Sequence, residues 1–179
     1  MIWRIATQIV KNGIRTEPAP DASDAVRFEA GRIQDDVLAI LGRALSIRMV
    51  DAGSCNGCEL EINALGNPYY NIEGFGIKFV ASPRHADMLL VTGPVSRNMA
   101  TALRRTFEAT PEPKLVVAVG DCGCDGGIFG ESYASCGPVS RVIPVDVWVP
   151  GCPPAPIEIL RGILTAVRRC RTVPPDPVR

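Results

Sequence analysis

Three short, β-branched apolar runs in this chain each empty into a loop that carries cysteine. Ser46–Val50 leads to Cys55 and Cys58, Pro113–Val119 leads to Cys122, and Ile143–Val149 leads to Cys152. Runs of this length and composition read as buried strands, and the unbroken apolar character of 113–119 implies that helices cover both of its faces. Gly76–Val80 and Asp87–Val91 read as two further strands. Helical stretches at Glu59–Leu65, Ser96–Ala109 and from Pro153 to Arg169 alternate with the strands. This alternation predicts a three-layer, flavodoxin-like α/β fold with a mostly parallel sheet and helices on both faces. In such a sheet ligands bind outside the carboxyl ends of the strands, which is where the cysteine loops fall.

The expected organisation has three parts. Residues 1–45 read as a helical extension and linker that contacts partner subunits. Residues 46–170 form the flavodoxin-like domain, and 171–179 a Pro-rich tail. Within the extension, Ile2, Trp3, Ile5, Ile9 and Val10 share one face at helical spacing, suited to a neighbouring subunit or to a lipid surface. A linker containing Pro18 and Pro20 follows, and Ser23 or Asp24 is placed to cap a second helix running to about Leu45.

Lysine plus arginine equals aspartate plus glutamate at 19 each, so no overall field draws a polyanion, and nucleic acid is not an expected partner. Seven cysteines is an odd number in a chain of 179 residues with no cleavable leader pattern, which points to metal or redox use in a reducing compartment. No uninterrupted apolar segment approaches the roughly 20 residues that span a bilayer, so any membrane attachment is expected to come through other subunits.

Cys55, Cys58, Cys122 and Cys152 each follow a predicted strand, which gathers four thiolates at one sheet edge despite separations of tens of residues. Four thiolates are the ligand set of a [4Fe–4S] cluster. Structural zinc uses the same donors but usually draws on two close cysteine pairs, whereas here one pair is joined by two distant singles. A thioredoxin-like dithiol at Cys55 and Cys58 leaves Cys122 and Cys152 without a role. Cys124 is an alternate to Cys122 in the loop from Gly120 to Gly137, while Cys136 and Cys170 read as packing thiols and His85 as a structural histidine. Glu59 and Glu61 flank the first cysteine pair and read either as solvated helix charges or as groups at an interface or on a proton path. Arg84 is a candidate to offset cluster charge or pair with a partner carboxylate.

Five motifs in order carry a resemblance. Cys-Asn-Gly-Cys-Glu-Leu-Glu at 55–61, Ser-Pro-Arg-His-Ala-Asp at 82–87, Val-Thr-Gly-Pro-Val-Ser at 91–96, Gly-Asp-Cys with Gly-Gly-Ile-Phe at 120–129, and Pro-Val-Asp-Val with Pro-Gly-Cys-Pro-Pro at 144–154 are the motifs concerned. They resemble the small, cluster-bearing subunit of membrane-bound energy-converting [NiFe] hydrogenases of the formate hydrogenlyase and carbon monoxide-linked types. The set is also similar to the related 20-kilodalton subunit of respiratory complex I. The resemblance implies one proximal-type [4Fe–4S] cluster on Cys55, Cys58, Cys122 and Cys152.

It further implies an oxidoreductase subunit that relays electrons between a ferredoxin-like iron–sulfur subunit and a catalytic large subunit, of [NiFe] hydrogenase or complex I 49-kilodalton type. Integral membrane subunits would hold the assembly on the cytoplasmic side of the inner membrane. Complex I-type subunits typically have adjacent cysteines in the first motif, whereas Asn56-Gly57 separates them here, which favours the hydrogenase branch over a complex I-like NADH/quinone oxidoreductase. The reading from a different class is a zinc-stabilised, non-catalytic interaction module.

Overall fold

The computed structural model describes residues 43–172. The helices read at 1–12 and 24–45 therefore lie outside the described residues, apart from the last few positions of the second, as does the Pro-rich tail from Val173.

Five strands form one parallel sheet in the order β2-β1-β3-β4-β5. They are β1 (Leu45–Asp51), β2 (Ile77–Phe79), β3 (Met88–Thr92), β4 (Leu115–Val119) and β5 (Val147–Val149). This is the flavodoxin-like strand order. β3 and β4 are buried along their whole length, as their continuous apolar sequences require when helices cover both faces. On one face strand residues such as Ile47, Leu90 and Val117 pack with Ile62 and with Ile159, Ile163 and Val167. On the other, Leu89, Val91 and Val116 pack with Leu103, Val139 and Ile143. The expected three layers are present.

Helix α1 spans Gly57–Ala64, α2 spans Arg97–Ala109, α3 spans Asp121–Cys124 and α4 spans Pro156–Thr172. Ser96 caps α2, its side chain accepting a hydrogen bond from the Met99 amide. At the amino end of β1, Arg43 pairs with Asp87, whose other oxygen accepts from the Ser46 amide at 3.0 Å.

Several boundaries differ from the sequence reading. α1 begins at Gly57 instead of Glu59, so Cys58 stands in its first turn and not in the preceding loop. Asn56, at φ 72°, supplies the left-handed step that starts this helix early. α4 begins at Pro156 instead of Pro153. Residues preceding proline are biased out of the helical region, which disfavours helix at Cys152, Pro153 and Ala155 and leaves Pro156 as the first helical position. The strand expected over 143–149 is paired only from Val147, because Pro144 has no amide to give to a ladder and Val139–Arg141 turns as a 3₁₀ helix just before it. The loop from Gly120 to Gly137 is more ordered than expected. It contains α3, a 3₁₀ turn at Gly127–Phe129, and bridges between Glu131 and Cys136 and between Ser135 and Ser96.

Candidate metal centre

Each cysteine loop is built by local hydrogen bonds at a strand end. After β1, the Asp51 carboxylate accepts from the amides of Gly53 (2.8 Å) and Ser54 (2.9 Å), folding the chain back so that Cys55 and Cys58 follow closely. The Ser96 amide donates to Ala52 O at 2.7 Å and ties this loop to the start of α2. After β4, Gly120 turns the chain with φ 83° and α3 begins at once, which presents Cys122. After β5, Gly151 leads to Cys152, and the amide of Asp121 donates to Gly151 O at 2.9 Å.

These three strand ends converge. Cys55, Cys122 and Cys152 line one cavity of about 530 Å³, to which Ile128 and Phe129 also contribute. Cys58 adjoins it from α1. A Cβ on Gly120 would lie 2.6 Å from the Cys58 sulfur, and one on Gly127 would lie 2.8 Å from the Cys122 sulfur. Both positions must lack a side chain for the backbone to approach the thiols so closely. Cys55 and Cys152 are exposed, whereas Cys58 and Cys122 are half-buried.

The electrostatics report the same convergence. Burial pushes the Cys58 thiol up to about 12, reinforced by Glu59 and then by Cys55, Cys122 and Cys152. Burial also raises Cys122, followed by the charges that Cys152, Cys55, Asp121 and Asp125 would contribute. Four thiolates in mutual repulsion call for positive charge among them, and a metal centre that binds them reverses this local preference for the protonated forms. The donor set and the glycine cradle therefore fit a thiolate-ligated centre.

The remaining candidates fall elsewhere. Cys124 is turned toward the sheet, its sulfur 3.9 Å from Ala118 O, and burial pushes its thiol up to about 11. Cys136 packs against the core on the α2 side of the sheet. His85 and Arg84 are exposed in the 3₁₀ turn Pro83–His85. Glu59 departs from the reading as a solvated helix charge: it is 4% exposed, and neither carboxylate oxygen has a hydrogen-bond partner among the described residues. Glu61, two positions on, is half-buried. Nothing in the local pattern of Cys-Glu-Leu-Glu distinguishes the buried carboxylate from the half-exposed one. The exposed apolar pair Ile128 (92% exposed) and Phe129 (53%), which line the same cavity as the thiols, is a further feature that the motifs alone do not reveal. Its signal in the sequence is a set of large apolar groups in a loop otherwise rich in glycine and cysteine.

Residues 55–166 match the family described as NADH ubiquinone oxidoreductase, 20 Kd subunit. A probable membrane-bound hydrogenase subunit, mbhJ, of Pyrococcus furiosus is 49% identical over 129 residues, covering 72% of this chain and 77% of that protein. Formate hydrogenlyase subunit 7 of Escherichia coli is 42% identical over 156 residues, 87% of this chain but 59% of that longer protein. One subunit of the NADH-quinone oxidoreductase of Desulfovibrio desulfuricans is 42% identical over 153 residues, 83% of this chain and 82% of its relative. Among solved structures, a chain of the membrane-bound sulfane sulfur reductase, an archaeal respiratory membrane complex, superposes with a TM-score of 0.65 at 31% identity, covering 78% of this chain and 76% of that one. With its parallel sheet and the match over 55–166, the chain belongs to the 20-kilodalton subunit family of NADH ubiquinone oxidoreductase, a family of oxidoreductase-complex subunits that includes hydrogenase members.

Proposed function

We propose that this chain is the electron-relay subunit of a membrane-associated [NiFe] hydrogenase, with one [4Fe–4S] cluster held by Cys55, Cys58, Cys122 and Cys152. The observation that carries the reading is the convergence of four thiols from three separate strand ends around one cavity. When bound, such a cluster supplies a one-electron couple. The chain's own residues do the rest. The four cysteines would fix the position of the centre, the glycines at 120 and 127 let backbone approach the sulfurs, and Ile128 and Phe129 add apolar surface to the cavity lining.

In this reading electrons pass between a ferredoxin-like iron–sulfur subunit and a catalytic large subunit where protons are reduced or hydrogen is oxidised. The identity of 49% with a membrane-bound hydrogenase subunit and the two-residue spacing between Cys55 and Cys58 support the hydrogenase branch. Integral membrane subunits would hold the chain at the cytoplasmic face, a reading supported by its similarity to subunits of membrane-bound complexes; among the described residues no helix is long and apolar enough to cross a membrane. Residues 1–45 are proposed to make contacts with those partners, and Glu59 and Glu61 to lie near the interface with the large subunit or on a path for protons.

The test is purification of the complex without oxygen. Brown protein with about four iron and four sulfide per chain, and loss of both in Cys152→Ser, is the expected result. Colourless protein with stoichiometric zinc overturns the reading.

A further inference from the structure

Two ligand loops 30 residues apart in the chain are joined by a reciprocal pair of hydrogen bonds. The Asp121 amide donates to Gly151 O at 2.9 Å, and the Gly151 amide donates to Asp121 Oδ1 at 2.7 Å. Asp121 immediately precedes Cys122, and Gly151 immediately precedes Cys152. The Asp121 carboxylate stands in the first turn of α3, where it could have served its own helix end. It instead reaches across to the loop after β5. Gly151 also holds φ 134°, a backbone conformation that favours glycine.

We propose that Asp121 is a positioning residue that locks the Cys122 and Cys152 loops into one unit and so sets the spacing of that pair of sulfurs. The inference rests on the reading of the four thiols as the ligands of one centre. It assigns the acceptor oxygen, not the negative charge, as the working feature. With the bond in place, displacement of either loop carries the other along, and the sulfur pair keeps its separation. Without the carboxylate, the backbone bonds Gly120 N to Val149 O at 2.8 Å and Asp121 N to Gly151 O at 2.9 Å remain, but the Gly151 amide beside Cys152 loses its acceptor, and the two loops are held by one bond where there were two.

Asp121→Asn and Asp121→Ala separate acceptor from charge, since asparagine retains Oδ1 and alanine does not. In the full complex purified without oxygen, Asp121→Ala is expected to lose cluster iron to a chelator roughly ten-fold faster or more, as for other groups that orient ligands. Its reduced-state electron paramagnetic resonance spectrum should also shift. Asp121→Asn should keep the wild-type spectrum and retain its iron.

A second readout needs no cluster. In the apo form of the full chain, dibromobimane should link Cys122 to Cys152 in wild type and Asp121→Asn, with several-fold lower yield in Asp121→Ala, read by peptide mapping. Equal yields and spectra in wild type and Asp121→Ala overturn the proposal, as does an Asn variant as impaired as the Ala variant. A wild-type complex without iron, but with the difference in cross-linking intact, sinks the cluster reading while the loop lock stands.

Discussion

A Cβ on Gly120 would sit 2.6 Å from the Cys58 sulfur, and Gly120 itself holds φ 83°. Position 120 is thus closed to side chains twice over, by contact and by backbone conformation. Gly120→Ala is expected to displace the thiol from the cavity, costing about 1 kcal/mol or more in stability and most of the bound iron. Iron and sulfide per chain, with a thermal melt of the same sample, checks this. Full iron loading in the variant would show that the close approach does not shape the site.

Thiol reactivity in the apoprotein should follow burial. Cys55 and Cys152 are exposed, whereas Cys58 is held at about 12 by burial, then by Glu59 and the other three thiols. Because the thiolate is the reactive species, Cys58 is expected to alkylate at least about ten-fold more slowly than Cys55 near neutral pH. Time-resolved iodoacetamide labelling with peptide mapping distinguishes the sites. Comparable rates would mean that Cys58 is not shielded.

The same shift carries a stability consequence. Cys58 and Cys124 rise from 9.0 in the free thiol to about 12 and about 11 in the fold, so the folded apoprotein holds its protons more tightly than the unfolded chain. Their stabilising contribution is complete below pH 9 and is lost as pH rises from there toward 11 to 12. The urea midpoint of the apoprotein is expected to fall between neutral pH and about pH 10.5, less so in Cys58→Ala.

Glu59 leaves two carboxylate oxygens buried without partners among the described residues. An unsatisfied buried group costs about 1–3 kcal/mol, so Glu59→Met is expected to stabilise the isolated full chain by that order. Urea denaturation measures it. A loss of stability instead would show that the carboxylate is satisfied in solution.

Gly162 brings α4 onto β5 at close range: a Cβ there would lie 2.2 Å from Val149 Cγ2. Gly162→Ala is expected to cost about 1–3 kcal/mol through overpacking and to disturb Cys152, three residues beyond Val149. Denaturant midpoints and iron content should fall together. A drop in stability with iron unchanged would separate the helix packing from the site.

The amino-acid sequence by itself determined that there are five strands, the burial of the central ones and the placement of cysteine at strand ends. These follow from local features: a β-branched apolar run such as 115–119 is satisfied only between two layers, and the glycines beside Cys55, Cys122 and Cys152 mark turns. Element starts were less legible, because Asn56 in a left-handed conformation and prolines at 153, 154 and 156 act through backbone dihedrals that side-chain periodicity does not encode.

Only the tertiary structure decided what meets what. That Cys122 faces Cys55 and Cys152 while Cys124 turns to Ala118, that Glu59 is buried and Glu61 is not, and that Asp121 grips Gly151 all depend on the order β2-β1-β3-β4-β5. Strand order brings residues tens of positions apart into contact. Their pairing is fixed by packing across the whole sheet, and no local stretch of sequence contains it.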